Sequence, residues 1–421
     1  MDRFGIVQTP TRRNMEDEPT PKPIIEINTS AKSVTRLTRF VISFVDGKNV
    51  LSWSIATLFR IYLLAYHVDL VAGVVKLHDF TSRFLAIKEL NLIWFTLAVM
   101  KSAPEVTSLC DTIDRLANSS TNHPLISPVA HAKKQELIKE RDNKLTESGK
   151  FYAKLIPGGF ILSALLPFCQ VVFWFVYLTL TKTDYNLSDL PFVMFSYYPD
   201  THKTLKTYLV VQFSTCCLLY LTVIHYLWPI FTSVSQTTIC IVYEIKLMCL
   251  RLEHLNDLTG RAEGENGEVL LKFHASALVK SHVILASDIK ALNKGINGLA
   301  VGYMNVMALQ ICMYLFCILE FENIVIRLKY AFCILFVILV MSVCTSFGQK
   351  IINAGDLLSQ ELYNCPWLEM PNWFKRSLLL MMTRSFRKME LKPYGLYVLD
   401  MRYLTNIVNA TYSYFNFFLK V

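Results

Sequence analysis

The residues with the most chemical potential lie in the final apolar run, Tyr403–Val421, which carries Asn406, Asn409, Thr411, Ser413 and Asn416. An unpaired polar group in hydrocarbon costs several kcal/mol, so these side chains need water or a protein surface. A water-filled pore satisfies them. Hydrogen bonds to neighbouring helices in a non-conducting bundle would do the same. Ser413, Phe417 and Val421 recur every fourth residue and share one helical face, which either meets a pore or packs on lipid and protein. A second set is mostly aromatic and falls in the outer halves of other apolar runs: Phe84 and Lys88, then Phe168, Gln170 and Phe173, then Phe213 and Tyr220. Rings with a few polar atoms suit a small apolar ligand. Taken singly, each aromatic is better explained as core, so the ligand reading applies to a subset. Lys88 and Glu89 are charges at membrane depth, where each costs about 2.5–3.5 kcal/mol on insertion scales. Mutual pairing or snorkelling to the interface explains them better than ligand contact. The chain has no H-E-x-x-H, P-loop, G-x-S-x-G or CxxC signature. No enzyme, cofactor or metal is expected.

What positions these residues follows from composition. The chain has 421 residues, of which 53% are hydrophobic and only 18% charged, with a mean hydropathy of +0.36. That much apolar surface calls for lipid as solvent. The formal charge of +9 is spread through the connections between apolar runs rather than clustered on one element, which argues against nucleic acid. Residues 1–49 are polar and lack the apolar core of a signal peptide, so the first apolar run is expected to insert with the N-terminus in the cytoplasm.

Runs long enough to span lie at Val50–Val75, Phe80–Met100, Phe151–Leu180, Thr207–Ser233, Leu299–Leu319, Ile324–Phe347 and Tyr403–Val421. The expected fold is all-α with seven transmembrane helices. Lys and Arg are dense after the second, fourth and sixth runs and sparse in the alternate connections. This places the dense connections inside and the C-terminus outside. Asn186 then begins the only sequon in an outward loop, a candidate glycosylation site. The cysteines fall in apolar runs or inner segments, which disfavours a disulfide framework. Glu320 and Glu322 would sit at an outer mouth, where they either gather cations or belong to a solvated loop.

The fourth run continues through Thr237–Glu253, where Ile241, Ile245, Met248 and Leu252 recur every third or fourth position between charges. The helical pattern resumes at Glu268, after a flexible Gly260–Gly267 loop. Helices thus project into the cytoplasm, and Pro371–Phe386 forms a further amphipathic helix. The chain divides into a cytoplasmic segment 1–49, a bundle 50–347 with inner extensions 234–298, a cytoplasmic anchor segment 348–402, and a last helix 403–421.

The C-terminal third carries a specific string: Cys344-Thr-Ser-Phe-Gly348-Gln349, Leu357-Leu358-Ser359-Gln360-Glu361-Leu362-Tyr363, Cys365-Pro366-Trp367, Lys375-Arg376-Ser377-Leu378-Leu379-Leu380-Met381-Met382 and Tyr412-Ser413-Tyr414-Phe415. It resembles the insect odorant-receptor family. Leu190-Pro191-Phe192 and Tyr198-Pro199-Asp200 resemble that family's proline–aromatic outer loop. Gln349 departs from the acidic residue usual there. The co-receptor's large insertion between the fourth and fifth spans is absent, so the chain is similar to a tuning subunit.

The resemblance implies a subunit of a ligand-gated, non-selective cation channel. It would form a heterotetramer with the co-receptor in the plasma membrane, in the dendrites of olfactory neurons. A small volatile odorant would bind in the outer half of the bundle, with membrane lipid around it and no nucleic acid. It implies that Tyr330 stands where the family keeps a pocket aromatic. It also implies that the face of Ser413, Phe417 and Val421 forms the constriction, which closes by dewetting, and that Pro371–Phe386 serves subunit assembly. A gustatory-type receptor channel and a G-protein-coupled receptor are the rival readings. The latter requires an external N-terminus, against the Lys and Arg distribution.

Overall fold

The structure, a computed structural model, describes residues 50–119, 128–181, 195–197, 205–259, 265–322, 324–365 and 367–418. Among them are nine α-helices: α1 (Val50–Lys76), α2 (Phe80–Ser119), α3 (Pro128–Thr181), α4 (Leu205–Thr222), α5 (Trp228–Thr259), α6 (Glu265–Glu320), α7 (Ile324–Asn364), α8 (Asn372–Ser385) and α9 (Met401–Phe418). No strand occurs among the described residues. Within the described residues each expected span falls in a helix or helix pair, the last one as far as Phe418. Among the described residues three stretches, Thr57–Lys76, Glu268–Glu320 and Ile326–Asn364, are long and apolar enough to cross a membrane by length and composition.

The membrane-side helices reveal their lipid face. On α1, Leu58, Ile61, Leu64, Val68, Val71 and Val75 are exposed at helical spacing. The opposite face buries Phe59, Leu63, Tyr66 and Leu70. Exposing six aliphatic side chains in one stripe is stable only in an apolar solvent.

Residues 234–259 and 265–298 are helical as the periodicity predicts, and α8 has the expected amphipathic form. Ile241, Ile245, Met248 and Leu252 are at most 1% exposed. They belong to the core that α5 shares with the long α6, which runs from Glu265 through the expected fifth span. At 1.5 Å per residue the 56 residues of α6 measure about 84 Å, against about 30 Å of hydrocarbon. The α6 helix begins at Glu265, within the expected Gly260–Gly267 loop, because Glu265 and Glu268 suit a helix N-terminus. Buried Arg251 donates to Ser281 Oγ at 2.7 Å and lies 3.8 Å from Glu244, tying α5 to α6. Burial raises the Glu244 carboxyl, a rise that Arg251 opposes.

The fourth span is not one continuous α-helix. A π-turn, Val223–Leu227, separates α4 from α5. The cause is Pro229, which has no N–H for the carbonyl of His225 and whose ring crowds that turn. Beyond it, Thr232, Ser233, Ser235, Gln236, Thr237 and Thr238 are all at most 4% exposed. Several are satisfied by their own helix: Thr232 donates to the Trp228 carbonyl at 2.8 Å and Thr237 to that of Ser233 at 2.8 Å.

Candidate functional site

Two features of the bundle could perform receptor chemistry. The first lies at the end where α1 gives way to α2 and α6 to α7. Lys88 and Glu89 are buried at 3% exposure and form an ion pair of 2.9 Å. Lys88 Nζ also donates to Tyr330 Oη at 3.1 Å. It stands 4.7 Å from the Tyr330 ring centre and 5.8 Å from that of Tyr314. These two rings stack at 5.5 Å and 27°. One ammonium thus meets a carboxylate, a phenol oxygen and two ring faces, which together offset its desolvation. Phe84, a turn before Lys88, packs on Phe316 with ring centres 4.3 Å apart.

The wall is continued by residues 195–197. The Phe195 N–H donates to Glu89 Oε1 at 3.3 Å, and Tyr66 Oη donates to the Phe195 carbonyl at 2.6 Å. Asp69 Oδ2 accepts from Ser196 Oγ and from the Tyr197 N–H, both at 2.9 Å. Asn91 Nδ2 donates to Gln310 Oε1 at 2.8 Å and to the Val306 carbonyl at 3.1 Å. Four helices and a loop segment are thus stitched by polar bonds inside an apolar bundle. An arrangement of this kind orients a small ligand through few groups and offers rings for the rest.

Of the residues expected to line a ligand site, the structure brings together Phe84, Lys88 and Tyr330. Phe173, Phe213 and Tyr220 are exposed at 69%, 72% and 41% on the outside of the single chain, away from that cluster. The side chains of Phe168 and Gln170, and all of Asn186, lie outside the described residues, as do Val421 and the side chain of Phe417. Tyr314, Tyr66, Asp69 and Asn91 were not anticipated. Asp69 carried a signal, since a carboxylate inside an apolar run asks for a partner. Tyr314 carried none, because its role depends on which residue faces it across two helices.

The second feature is α9. Ile407 and Thr411 are buried against α6 and α7, with Thr411 Oγ1 donating to the Ile407 carbonyl at 2.8 Å. Asn406, Asn409 and Ser413 project from the opposite side and are exposed. Ser413 Oγ donates to the Asn409 carbonyl at 3.0 Å, within its own helix.

A strap, residues 386–400, joins α8 to α9 and is held by two asparagines one turn apart on α6. Asn293 Oδ1 accepts the Lys392 N–H at 2.7 Å, and its Nδ2 donates to the Glu390 carbonyl at 3.1 Å. Asn297 Oδ1 accepts the Tyr394 N–H at 2.9 Å. Tyr394, at φ 48°, and Gly395, at φ 72°, turn the strap back on itself, and the Leu399 N–H bonds the Leu391 carbonyl at 2.9 Å. The family-like string around Gly348 acquires a reason here, because the glycine lies directly beneath the Leu399 carbonyl.

Residues 125–412 match the family model described as 7tm Odorant receptor. Odorant receptor 10 of Aedes albopictus is 23% identical over 218 residues, covering 50% of this chain. The match spans about half of that relative's length, 53%. The fold is similar to that of the insect olfactory receptor OR5 from Machilis hrabei in complex with eugenol. That likeness has a TM-score of 0.70 at 11% identity, over 93% of this chain and 99% of the other. A second structure of the same receptor gives a TM-score of 0.66 at 10% identity, over the same shares of the two chains.

Proposed function

The chain belongs to the 7tm Odorant receptor family, an insect receptor family of helical membrane proteins, and from that premise we propose that it is an odour-binding subunit of a ligand-gated, non-selective cation channel. The carrying observation is the polar stripe of Asn406, Asn409 and Ser413 on α9, opposite its docked Ile407–Thr411 face. Left against lipid, each such group costs several kcal/mol. Lining water at the centre of an assembly removes that cost. Ser413, Phe417 and Val421 form the gate in this reading.

The ligand is small, volatile and largely apolar, and it sits among Phe84, Lys88, Tyr314 and Tyr330. Lys88, held by Glu89, supplies the polar contact. The ligand opens the pore only through its differential affinity for the open arrangement. No bond is made or broken, and the subunit is not an enzyme. The subunit is a tuning one, assembled with the family's co-receptor in a heterotetramer. It resides in the plasma membrane of olfactory neuron dendrites, with its N-terminus and its segment 348–402 in the cytosol and its C-terminus outside.

Patch-clamp recording of cells expressing the chain with the co-receptor tests this. The expected result is a fast odour-evoked cation current without nucleotide or G protein. Silence across a broad volatile panel, with both chains verified at the surface, overturns it.

A further inference from the structure

A cavity of about 430 Å³ lies between the inner part of α6, the C-terminal end of α8 and the start of the strap. Its lining includes His282, Thr383, Arg384, Arg387, Lys388 and Glu390. His282 is 3% exposed, and its Nε2 is buried without a hydrogen-bond partner. A buried imidazole nitrogen without a partner is costly, and this ring belongs to the cavity wall. Burial lowers the imidazole's proton affinity and nearby Arg384 lowers it further. The one carboxylate, Glu390, is engaged by Lys392 at 2.6 Å. Arg384, Arg387 and Lys388 therefore give the cavity a positive excess. Arg384 in the last turn of α8 also complements that helix's C-terminal dipole. The dipole accounts for one cation but for neither of the others, nor for the orphaned imidazole.

We propose that this cavity binds a phosphate-bearing ligand, and that the ligand is a soluble polyphosphate rather than a lipid headgroup. Two guanidinium groups and an ammonium around one cavity match clustered phosphate oxygens. The choice of source follows from distance and rests on the span boundary proposed above. His282 lies 17 residues before Leu299 on one continuous helix, about 25 Å from the bilayer edge at 1.5 Å per residue. That exceeds the reach of a headgroup. The cavity's occupant bridges α6 to the strap that carries α9, so binding fixes the base of the last helix. Binding at this site does not depend on the odour-gated reading.

The test uses the purified full-length receptor, with equilibrium binding of radiolabelled inositol hexakisphosphate as the direct readout. Saturable binding is expected. Arg384→Gln with Arg387→Gln, both on exposed positions, should weaken it by about tenfold or more. His282→Phe should weaken it while Lys139→Gln, an exposed cation on α3 that does not line the cavity, should not. Gel filtration establishes that each variant is folded. Binding retained within twofold by the folded double-arginine variant overturns the site. No binding of the soluble probe overturns the choice of source, and the same outcome follows if melting is raised only in nanodiscs containing phosphatidylinositol bisphosphate and not in phosphatidylcholine nanodiscs.

Discussion

Gly348 on α7 lies so close to the Leu399 carbonyl that any side chain there would overlap the backbone oxygen. The clash is with main chain, so no rotamer relieves it. Gly348→Ala must push away the segment that seats α9, at a cost of about 1–3 kcal/mol. A lower melting temperature and a reduced or leaky odour-evoked current are expected. Gly158→Ala is the matched control, because nothing lies within 4 Å of a methyl group there. Its melting temperature should equal or exceed that of the parent.

Removing one member of the Lys88–Glu89 pair strands the other as a buried charge. Lys88→Met or Glu89→Gln should each cost about 3–5 kcal/mol and depress surface expression. The double replacement should be milder than the sum of the two, because neither charge remains. Surface labelling of the singles and the double measures this. Full additivity would mean that the pair does not form.

Tyr330→Phe removes the Oη that accepts from Lys88 and leaves both stacked rings in place. The expected effect is a reordering of ligand potencies with expression within about twofold, since one hydrogen bond to a charged group contributes about 1.5–3 kcal/mol. Dose–response curves over a volatile panel provide the measurement.

Asn293→Ala withdraws two hydrogen bonds from the strap, at about 1–3 kcal/mol for the stranded backbone groups. Looser seating of α9 should alter the unliganded current more than the apparent ligand affinity. Single-channel recording separates the two. An unchanged opening probability would show that the strap does not influence the gate.

Asp288, on the inner part of α6, is paired with Arg115, but one of its carboxylate oxygens is buried without a partner. Burial pushes its carboxyl up from 3.8 to about 6, a rise that Arg115 opposes. Between about pH 4 and pH 6 the unfolded chain releases this proton while the native one holds it, so this group's contribution falls as pH rises. Asp288→Asn lacks the titration. Its melting temperature relative to the parent should therefore move upward from about pH 4.5 to pH 7.

Much of the architecture was legible because its signals are one-dimensional. Apolar runs of spanning length, the Ile241–Leu252 periodicity and the amphipathic segment after Pro371 each depend only on neighbours in sequence. The π-turn was missed because Pro229 sits inside an otherwise unbroken apolar run, and hydropathy does not register a missing N–H. Lys88 could be nominated as a charge at membrane depth, and it pairs with Glu89 at 2.9 Å, whereas Tyr330 was reached only through the family resemblance. Tyr314, by contrast, acquires its role only when α6 and α7 are rotated into register. Phe173, Phe213 and Tyr220 share the composition of pocket residues but face outward from the single chain. Which side of a helix faces inward is undetermined in a run that is apolar all round.

The length of α6 makes it a lever. Tyr314 near one end and Asn293 farther in are 21 residues apart on the same helix, about 31 Å at 1.5 Å per residue. A tilt of about 5° at the aromatic end would sweep the strap sideways by nearly 3 Å, roughly the width of a water molecule, from the same straight-rod geometry. In the proposed reading, a displacement of the two stacked rings by a ligand passes along α6 to the strap, and through the strap to the base of α9.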